Sequence, residues 1–287
     1  MNGFININKP SGVTSNHVVN VVKRMTNCKV GHFGTLDPLA QGVLPLALGQ
    51  ATKLFDYLAT KRKTYIAEFT FGITSDTLDC EGVVTDQCSI LPTREQIIAV
   101  LPTFTGKIMQ LPPQFSALSV NGVRAYKLAR QGQEVQLTER EIEIYKFSLL
   151  DQLSIDKFTF EIECSAGTYI RSLARDVAQS LSTVGLMSAL LRTASGVFTL
   201  DKAVTVEQLE SNVDRYLLDI TYPLLTLPKF SAPSTQFKSL SNGVRISAKN
   251  APVGRFLLYC NDKLFGIARQ REGKVVLEYN LFDVKSN

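Results

Sequence analysis

A glycine-rich polar loop that runs directly into an apolar segment is the feature that most constrains the fold of this chain. Residues 31–42 (GHFGTLDPLAQG) contain three glycines and a single carboxylate, Asp37, and residues 43–48 (VLPLAL) are all apolar. Pro38 biases Asp37 away from helical geometry, and the glycines permit backbone angles that other residues resist. The pattern predicts that Asp37 lies on a shaped loop leading into a buried strand, which would hold a reactive side chain rigidly.

An aspartate that precedes a proline is also frequent in ordinary turns, because its side chain accepts hydrogen bonds from the backbone amides that follow. The loop by itself therefore leaves two interpretations of Asp37 open, a turn residue and a reactive carboxylate. Other parts of the chain have to distinguish between them.

Patterns typical of strands and of helices are mixed along most of the chain. Strands are predicted over 3–8, 43–48, 65–72, 142–150 and 158–164, and helices over 14–26, 51–59, 93–100 and 125–131. Capping-box patterns at Thr93 and Thr205 indicate that a helix begins after each of these residues. Both kinds of element therefore contribute to the same fold.

The clearest helical pattern follows Gly167-Thr168. Apolar residues fall at i, i+3, i+4, i+7, i+8 and i+11 from Ile170 to Leu181, which gives one continuous stripe. Arg171 lies in the first turn beside this stripe, where a cation gains nothing from the helix dipole. We therefore expect another group, most simply a carboxylate, to hold Arg171.

The composition changes near residue 223. Three prolines fall within residues 223–233, and the chain beyond them alternates in short apolar runs separated by turn signals such as Asn242-Gly243. We place a domain boundary at about residue 228 on this basis. Residues 229–287 are predicted to form a small β-rich module of about five strands.

The overall composition argues against several classes of protein. The chain has 31 Lys and Arg residues against 26 Asp and Glu, and the resulting charge of +5 suits a polyanionic partner without requiring one. Its five cysteines include no C-x-x-C pair and it has two histidines, so we expect neither a metal site nor disulfides. The sequence shows no signal peptide and no apolar run of about 18 residues. We expect a cytoplasmic protein that does not enter the membrane.

Two groups of basic residues are candidates for contact with an anionic partner. They are Lys61, Arg62 and Lys63 before Tyr65, and Arg124, Lys127 and Arg130 at three-residue steps on one face of a predicted helix. A solvated helix face would explain the second group equally well. Tyr126 among these bases favours an RNA-facing lobe, since such sites combine charge with stacking surfaces.

Asp76, Asp79 and Glu81 form an acidic segment. It lacks the twelve-residue loop and the closing glutamate of a calcium-binding hand. We therefore interpret the segment as a solvated turn and predict no calcium site there.

The inventory of motifs excludes phosphate-binding and dinucleotide-binding loops, because neither glycine pattern occurs. His17 and His32 do not belong to a recognisable Ser/His/Asp arrangement. What remains for chemistry is Asp37, Arg171 and Tyr65. A carboxylate that is held by a cation can act as a nucleophile without a cofactor, and a tyrosine ring can stack on a flat ring.

Five segments of the chain resemble the motifs of one family, the bacterial tRNA pseudouridine synthase B (TruB) family. Residues 31–45 (GHFGTLDPLAQGVLP) are similar to its central motif. The others resemble further family motifs in the same order; they are 7–15 (INKPSGVTS), 63–65 (KTY), 164–171 (CSAGTYIR) and 189–193 (ALLRT). The C-terminal module resembles the PUA-type domain that such enzymes carry.

The resemblance implies an α+β fold. A pseudouridine synthase core with a mixed or antiparallel sheet flanked by helices would span 1–228, with an RNA-binding lobe over about 104–140. A PUA-like RNA-binding module would span 229–287. The enzyme would flip uridine 55 out of the T-loop of tRNA and convert it into pseudouridine. It would need no cofactor and no obligate protein partner, and it would act as a monomer.

The resemblance also assigns roles to individual residues. Asp37 is implied to be the catalytic nucleophile, and Arg171 its ion-pair partner. Tyr65 would stack on the flipped base and take part in removing a proton. Leu190 would line the base pocket, and His32 would fill the space that the flipped nucleotide leaves.

Other positions would support the loop or the RNA. Lys9 and Pro10 would support the active-site loop. The basic residues would hold phosphates with salt-sensitive affinity; they include Lys63, Arg124, Lys127 and Arg130. At Leu191 this chain departs from the family, which usually has an arginine there, whereas Arg192 matches the family motif.

Other functions remain compatible with these residues. One is a non-catalytic RNA chaperone that binds tRNA, and another is an isomerase guided by a separate RNA within a multi-protein particle, as in archaeal and eukaryotic relatives. A glycosidase that uses Asp37 is disfavoured, because the motif around Asp37 contains no second carboxylate.

Overall fold

A nine-stranded mixed sheet is the largest part of the fold. The computed structural model describes residues 1–59, 61–116, 118–120, 122–125, 128, 131, 135–248 and 250–282. In chain order, its first thirteen strands are β1 (Gly3–Lys9), β2 (Val30–His32), β3 (Gln41–Leu48), β4 (Lys63–Phe71), β5 (Ile73–Ser75), β6 (Val84–Gln87), β7 (Gly106–Gln110), β8 (Ser119–Val120), β9 (Val123–Arg124), β10 (Arg140–Gln152), β11 (Lys157–Cys164), β12 (Gly185–Ser195) and β13 (Phe198–Thr199).

Seven of these strands lie side by side in the order β1-β3-β12-β4-β11-β10-β7, and β2 and β13 add to β3 and β12. Among the described pairs of this sheet, β3 with β12 is parallel and every other pair is antiparallel. Two small hairpins, β5–β6 and β8–β9, lie outside it. The mixed sheet expected for the core is confirmed.

Seven α-helices occur in the described part of the chain. They are α1 (Ser15–Thr26), α2 (Phe55–Ala59), α3 (Arg94–Val100), α4 (Ile170–Ser180), α5 (Val206–Ser211), α6 (Val213–Tyr216) and α7 (Phe237–Ser241). Thr14 caps α1, and capping boxes at Thr93 and Thr205 begin α3 and α5, as the sequence predicts. None of these helices is long and apolar enough to span a membrane.

The apolar stripe of α4 packs against the sheet. Ile170, Leu173, Ala174, Val177 and Ala178 are buried in one cluster with the inward-facing residues of the central strands. β3 is buried from Gly42 to Leu48, between β1 and β12. The predicted buried strand after the polar loop is therefore confirmed, and it lies next to the edge strand β1 of the main sheet.

Two predicted segments differ from the structure. The pattern predicts one helix over 51–59, but a 3-10 helix, Gly49–Leu54, precedes the short α2. The hydroxyl of Thr52 donates a hydrogen bond to the carbonyl of Gly49 and so competes with regular helical bonding. The predicted polar loop starts later than expected, because Val30–His32 pairs with β3 as the strand β2 and satisfies its backbone groups.

The C-terminal region forms a separate five-stranded sheet. Its strands are β14 (Lys229–Ala232), β15 (Ile246–Ser247), β16 (Arg255–Cys260), β17 (Lys263–Arg271) and β18 (Lys274–Asn280), in the order β14-β16-β17-β18-β15. This matches the predicted number of strands. Leu257, Ile267 and Leu281 share a buried apolar cluster with Phe4 and Val43 of the main sheet, so the two sheets pack together. The boundary at about residue 228 stays a prediction.

Candidate active site

Asp37 and Arg171 form a bidentate ion pair. Nε of Arg171 lies 3.0 Å from Oδ2 of Asp37, and Nη2 donates to Oδ1 over 3.1 Å. The Arg171 side chain is 7% exposed, and that of Asp37 is 33% exposed. Arg171 stands at the start of α4, and Asp37 lies on the loop between β2 and β3. The structure thus supplies the carboxylate that the placement of Arg171 led us to expect.

Three further groups fix the Arg171 guanidinium. Nη1 donates to the carbonyl of Thr77 over 2.8 Å, and Nη2 donates to the carbonyl of Phe115 over 2.9 Å. Oδ2 of Asp79 lies 3.5 Å from Nη1. Two carboxylates therefore share one buried guanidinium, whose planar shape allows several directed hydrogen bonds at once.

The prediction of a solvated turn over residues 76–81 is wrong for Asp79, although Asp76 and Glu81 are exposed as predicted. Asp79 is only 4% exposed. Its Oδ1 accepts hydrogen bonds from the Thr77 hydroxyl (2.6 Å) and from the amide of Glu81 (3.1 Å). The segment is drawn inward because Asp79 forms a β-bridge with Met187 of β12. A second carboxylate thus lies near Asp37, but it is buried against Arg171 and closed to a substrate.

Burial and the neighbouring charges act in opposite directions on Asp37. Burial raises the pKa of its carboxyl group, and the second carboxylate of Asp79 raises it further. The Arg171 guanidinium, by charge and by hydrogen bonding, lowers the pKa, and Lys9 adds a smaller effect of the same sign. The net shift is upward, so the ionised form of Asp37 depends on Arg171.

Lys9 supports the loop that carries Asp37. The residue is fully buried, and its Nζ donates to the carbonyls of Pro10 (2.8 Å), Val13 (2.7 Å) and Pro38 (3.2 Å). Burial lowers the pKa of Lys9 to about 8, although the charge of Asp37 opposes this shift. These bonds tie the segment before α1 to the residue that follows Asp37.

Tyr65 lies on β4 and Leu190 lies on β12, the strand that pairs with β4. Both are buried, at 6% and 7% exposure, in the same apolar cluster as Leu36 of the loop. Burial raises the pKa of Tyr65 to about 12, and the nearby Arg192 guanidinium opposes the shift. Tyr65 is therefore a neutral phenol at physiological pH, next to the loop of Asp37.

His32 is the last residue of β2, before the loop. Its Nδ1 is buried and has no hydrogen-bond partner among the described residues. Burial lowers the pKa of His32, and the charge of Arg192 lowers it further. The ring is therefore neutral at physiological pH.

Among the predicted RNA-contacting residues whose side chains the structure describes, Lys63 is buried. Lys63 points inward at 8% exposure and its Nζ donates to the carbonyls of Ala59 (3.3 Å) and Lys61 (3.5 Å). Burial and the charge of Arg192 lower the pKa of Lys63 to about 8. Lys63 is thus as buried as Tyr65 and Leu190, and its contact with a substrate stays a prediction. The side chain of Arg124, the residues Lys127 and Arg130, and most of the predicted helix 125–131 lie outside the described part of the chain.

Metal-binding clusters are absent from the described residues. No group of three or more His, Cys, Asp or Glu side chains there is arranged to hold a metal ion. The carboxylate of Asp79, near Asp37, is instead paired with Arg171. The groups available for chemistry are the Asp37 carboxylate, which the Arg171 guanidinium holds, and the buried phenol of Tyr65.

Comparison with known proteins identifies the family. The model of the TruB family pseudouridylate synthases (N-terminal domain) matches residues 22–170. A tRNA pseudouridine synthase B from Alkaliphilus oremlandii is 40% identical, over 95% of this chain and 95% of its own length. The chain belongs to the TruB family of pseudouridylate synthases. The tRNA pseudouridine synthase B of Zymomonas mobilis is 42% identical, over 88% of this chain and 87% of its own.

Solved structures share the fold of this TruB family member. A chain in the crystal structure of a Cbf5–Nop10–Gar1 complex superposes with a TM-score of 0.74 at 24% identity, covering 99% of this chain and 86% of that one. A chain in an H/ACA RNP bound to a substrate RNA containing 2′-deoxyuridine gives a TM-score of 0.73 at 23% identity, covering 98% and 85%. The α+β pseudouridine synthase fold is therefore confirmed.

Two residues at this TruB site escaped the sequence analysis. Asp79 was assigned to a solvated turn, and Arg192 received no role beyond its match to a family motif. An acidic residue in a turn and a basic residue in a strand carry no local sign of burial. The charged residues in each segment are spaced as in ordinary exposed segments. Contacts between segments that are distant in the sequence bury these two side chains.

Proposed function

We propose that this protein converts uridine 55 in the T-loop of tRNA into pseudouridine, with Asp37 as the nucleophile and without a cofactor. The observation that carries the proposal is the Asp37–Arg171 ion pair on a buttressed loop beside Tyr65. The curated relatives named tRNA pseudouridine synthase B support tRNA as the substrate. The net charge of +5 suits an RNA partner.

The reaction is an isomerisation, so its atoms balance within the substrate. The bond between N1 of uracil and C1′ of ribose breaks, and a bond between C5 and C1′ forms. The proton on C5 leaves, and N1 ends the reaction with a proton. No electrons or groups enter from outside, so a fixed carboxylate nucleophile suffices in principle.

The residues of the site divide this work. The uridine leaves the stack of the T-loop at a cost of a few kcal/mol. Asp37, held by Arg171, attacks either C1′ or the uracil ring. Tyr65 stacks on the base, and its neutral hydroxyl takes part in removing the C5 proton as a relay, accepting that proton while it passes its own to water or to N1. Leu190 borders the pocket in which the uracil turns. His32 occupies the space that the flipped nucleotide leaves.

A T-stem-loop transcript with tritium at C5 of the single uridine 55 tests the proposal. Purified protein alone is expected to release tritium to water in proportion to pseudouridine formed. A matched transcript labelled at another loop uridine is the control, and it is expected to release none. Binding without release would favour a non-catalytic RNA chaperone. Release only after a guide RNA and partner proteins are added would favour a guided isomerase.

Replacing Tyr65 separates stacking from proton transfer. Tyr65→Phe keeps the ring and removes a buried hydroxyl that stays protonated at physiological pH, because burial raises the pKa of Tyr65 to about 12. We expect the single-turnover rate to fall about 10²-fold, the usual contribution of one proton-transfer group. Affinity for the stem-loop, measured by filter binding, is expected to stay within about threefold, since the stacking surface remains. A wild-type rate for Tyr65→Phe would limit Tyr65 to stacking.

A further inference from the structure

Arg192 bridges the two ends of the loop that carries Asp37. The residue lies on β12 and is fully buried. Its Nε donates to the carbonyl of Val43 over 2.6 Å, and its Nη2 donates to the carbonyl of Gly34 over 3.1 Å. Gly34 precedes Asp37 by three residues, and Val43 follows it by six. One guanidinium therefore ties together the entry and the exit of the loop.

The pairing of the strands places Arg192 next to the end of the loop, where β3 begins. β12 runs parallel to the first residues of β3, with Arg192 opposite Gly42. Gly42 has φ +99°, and a Cβ on it would overlap the carbonyl oxygen of Arg192. Side chains alternate along a strand, so Leu191 and Arg192 point to opposite faces. The departure of this chain from the family at Leu191 therefore leaves the Arg192 contacts unaffected.

The charge of Arg192 is buried without a carboxylate. No salt bridge to it occurs among the described residues, and its Nη1 has no hydrogen-bond partner there. An apolar side chain would fill this position in the sheet at a lower electrostatic cost. The contacts that distinguish arginine from such a side chain are the two charge-assisted bonds to the loop and an interaction with the hydroxyl of Tyr65, which lies opposite Arg192 on β4.

The loop lies close against this guanidinium. Gly34 has φ +103°, and a Cβ built on it would lie 3.5 Å from Nη1 of Arg192 and 3.2 Å from Cε of Lys63. Backbone and cation are therefore in near contact at the start of the loop. Arg171 bonds to the Asp37 side chain, whereas Arg192 bonds to the backbone of the loop that carries Asp37.

We propose that Arg192 is a positioning residue, which holds the carbonyls of Gly34 and Val43 together and thereby keeps the Asp37 carboxylate in line with Arg171 and Tyr65. The inference rests on the proposed function for its catalytic consequence. It does not depend on that function for its structural consequence, which is the order of the loop. Arg192 makes no described hydrogen bond or salt bridge to the Asp37 carboxylate, and loop exchange separates its hold on the loop from its interaction with Tyr65.

Arg192→Lys tests the geometry of the bridge while keeping a buried cation. A single ammonium lacks the planar fork that reaches both carbonyls at these distances. We expect the single-turnover rate of pseudouridine formation to fall about 30-fold, since a small misplacement of a reactive group costs roughly that much or more. The affinity for the T-stem-loop is expected to stay within about threefold of wild type.

Arg175→Lys is the matched control. Arg175 lies on α4, and its Nη2 donates to the carbonyl of Leu111 over 2.9 Å, away from the loop. Arg175 also pairs with Asp176 and has no described bond to the loop or to Asp37, so the same chemical change there is expected to leave the rate within about twofold. A rate loss of equal size in both variants would overturn the positioning role, and so would a wild-type rate in Arg192→Lys.

Amide hydrogen exchange of the free protein gives a second readout that needs no RNA. The amides of Leu36 and Ala40 bond within the loop region, to the Ser15 hydroxyl and to the Asp37 carbonyl. We expect them to exchange about tenfold faster in Arg192→Lys, while the amides of α1 keep their rates. Unchanged loop exchange would contradict the bridge even if the wild-type protein did not isomerise uridine, so the two proposals can fail separately.

Discussion

Asp37→Asn is expected to abolish pseudouridine formation while leaving RNA binding intact. The amide has the shape of the carboxylate but cannot act as a nucleophile, and loss of a nucleophile usually lowers a rate by at least about 10⁴-fold. Oδ1 of the asparagine can still accept the hydrogen bond from Nη2 of Arg171 that Asp37 accepts now. The loop should therefore keep its position.

Tritium release from the labelled T-stem-loop measures the rate, and filter binding measures the affinity. We expect the dissociation constant of Asp37→Asn to stay within about threefold of wild type, because RNA affinity is set mainly by phosphate contacts. Asp56→Asn, an exposed carboxylate on α2, is the matched control and should keep its activity. Release by Asp37→Asn at more than a hundredth of the wild-type rate would exclude Asp37 as the nucleophile.

The same variant should be at least as stable as wild type at neutral pH. The folded protein raises the pKa of Asp37 above its value in the unfolded chain. A carboxyl group whose pKa is higher in the folded protein stabilises the folded state at a pH below its unfolded pKa. This stabilisation is lost as the pH rises through the folded pKa. Asparagine does not titrate, so Asp37→Asn does not lose stability in this way as the pH rises. Urea denaturation at pH 7 and at pH 4 should show a stability advantage of Asp37→Asn that shrinks at the lower pH.

The parts of the site that local patterns encode could be predicted from the sequence. The stripe from Ile170 to Leu181 fixed the position of α4, and the odd placement of Arg171 beside it pointed to a carboxylate partner. The polar loop before the apolar run of 43–48 indicated that Asp37 lies on a loop held rigidly by a buried strand. Both indications follow from periodicity and dipole arguments that involve one segment at a time.

The contacts that join distant segments could not be predicted in this way. Asp79 is buried because its segment bridges to Met187, more than a hundred residues along the chain, and there meets Arg171. Arg192 is buried because β12 runs parallel to β3, and its acceptors are 149 and 158 residues away. The spacing of the acidic residues at 76–81 does not indicate which distant residues Asp79 contacts, and the alternation of side chains along β12 does not indicate those of Arg192. Lys63 is the converse case, in which a basic run suggested a surface but the strand turned one member inward.

Arg171→Met is expected to lose both stability and activity. It removes the cation that pairs with Asp37 and Asp79 and that donates to two carbonyls. Breaking a buried ion pair by removing one partner usually costs about 3–5 kcal/mol, because the remaining charge is left uncompensated. We also expect the single-turnover rate to fall at least about 10²-fold, since the nucleophile is no longer held in place.

The pH dependence separates the loss of charge from the loss of packing. Arg171 lowers the pKa of Asp37 against the effect of burial, so its removal raises that pKa further. The acid limb of the pH–rate profile should therefore move to higher pH in Arg171→Met, and raising the pH should recover part of the rate. The stability loss should show the opposite trend and shrink as the pH falls, because protonation of Asp37 removes one of the two uncompensated charges.

A double variant connects these two effects to one ion pair. In Asp37→Asn/Arg171→Met, one carboxylate and the cation are both absent, so only Asp79 is left without its partner. We expect the double variant to be more stable than Arg171→Met alone at pH 7, by about 1–3 kcal/mol of coupling. Additive losses, with no recovery in the double variant, would mean that Arg171 stabilises the fold through Thr77 and Phe115 and does not hold Asp37. The ion pair would then be a contact without a catalytic role, and the source of the ionised nucleophile would have to be sought in Lys9, the other cation whose charge lowers the pKa of Asp37.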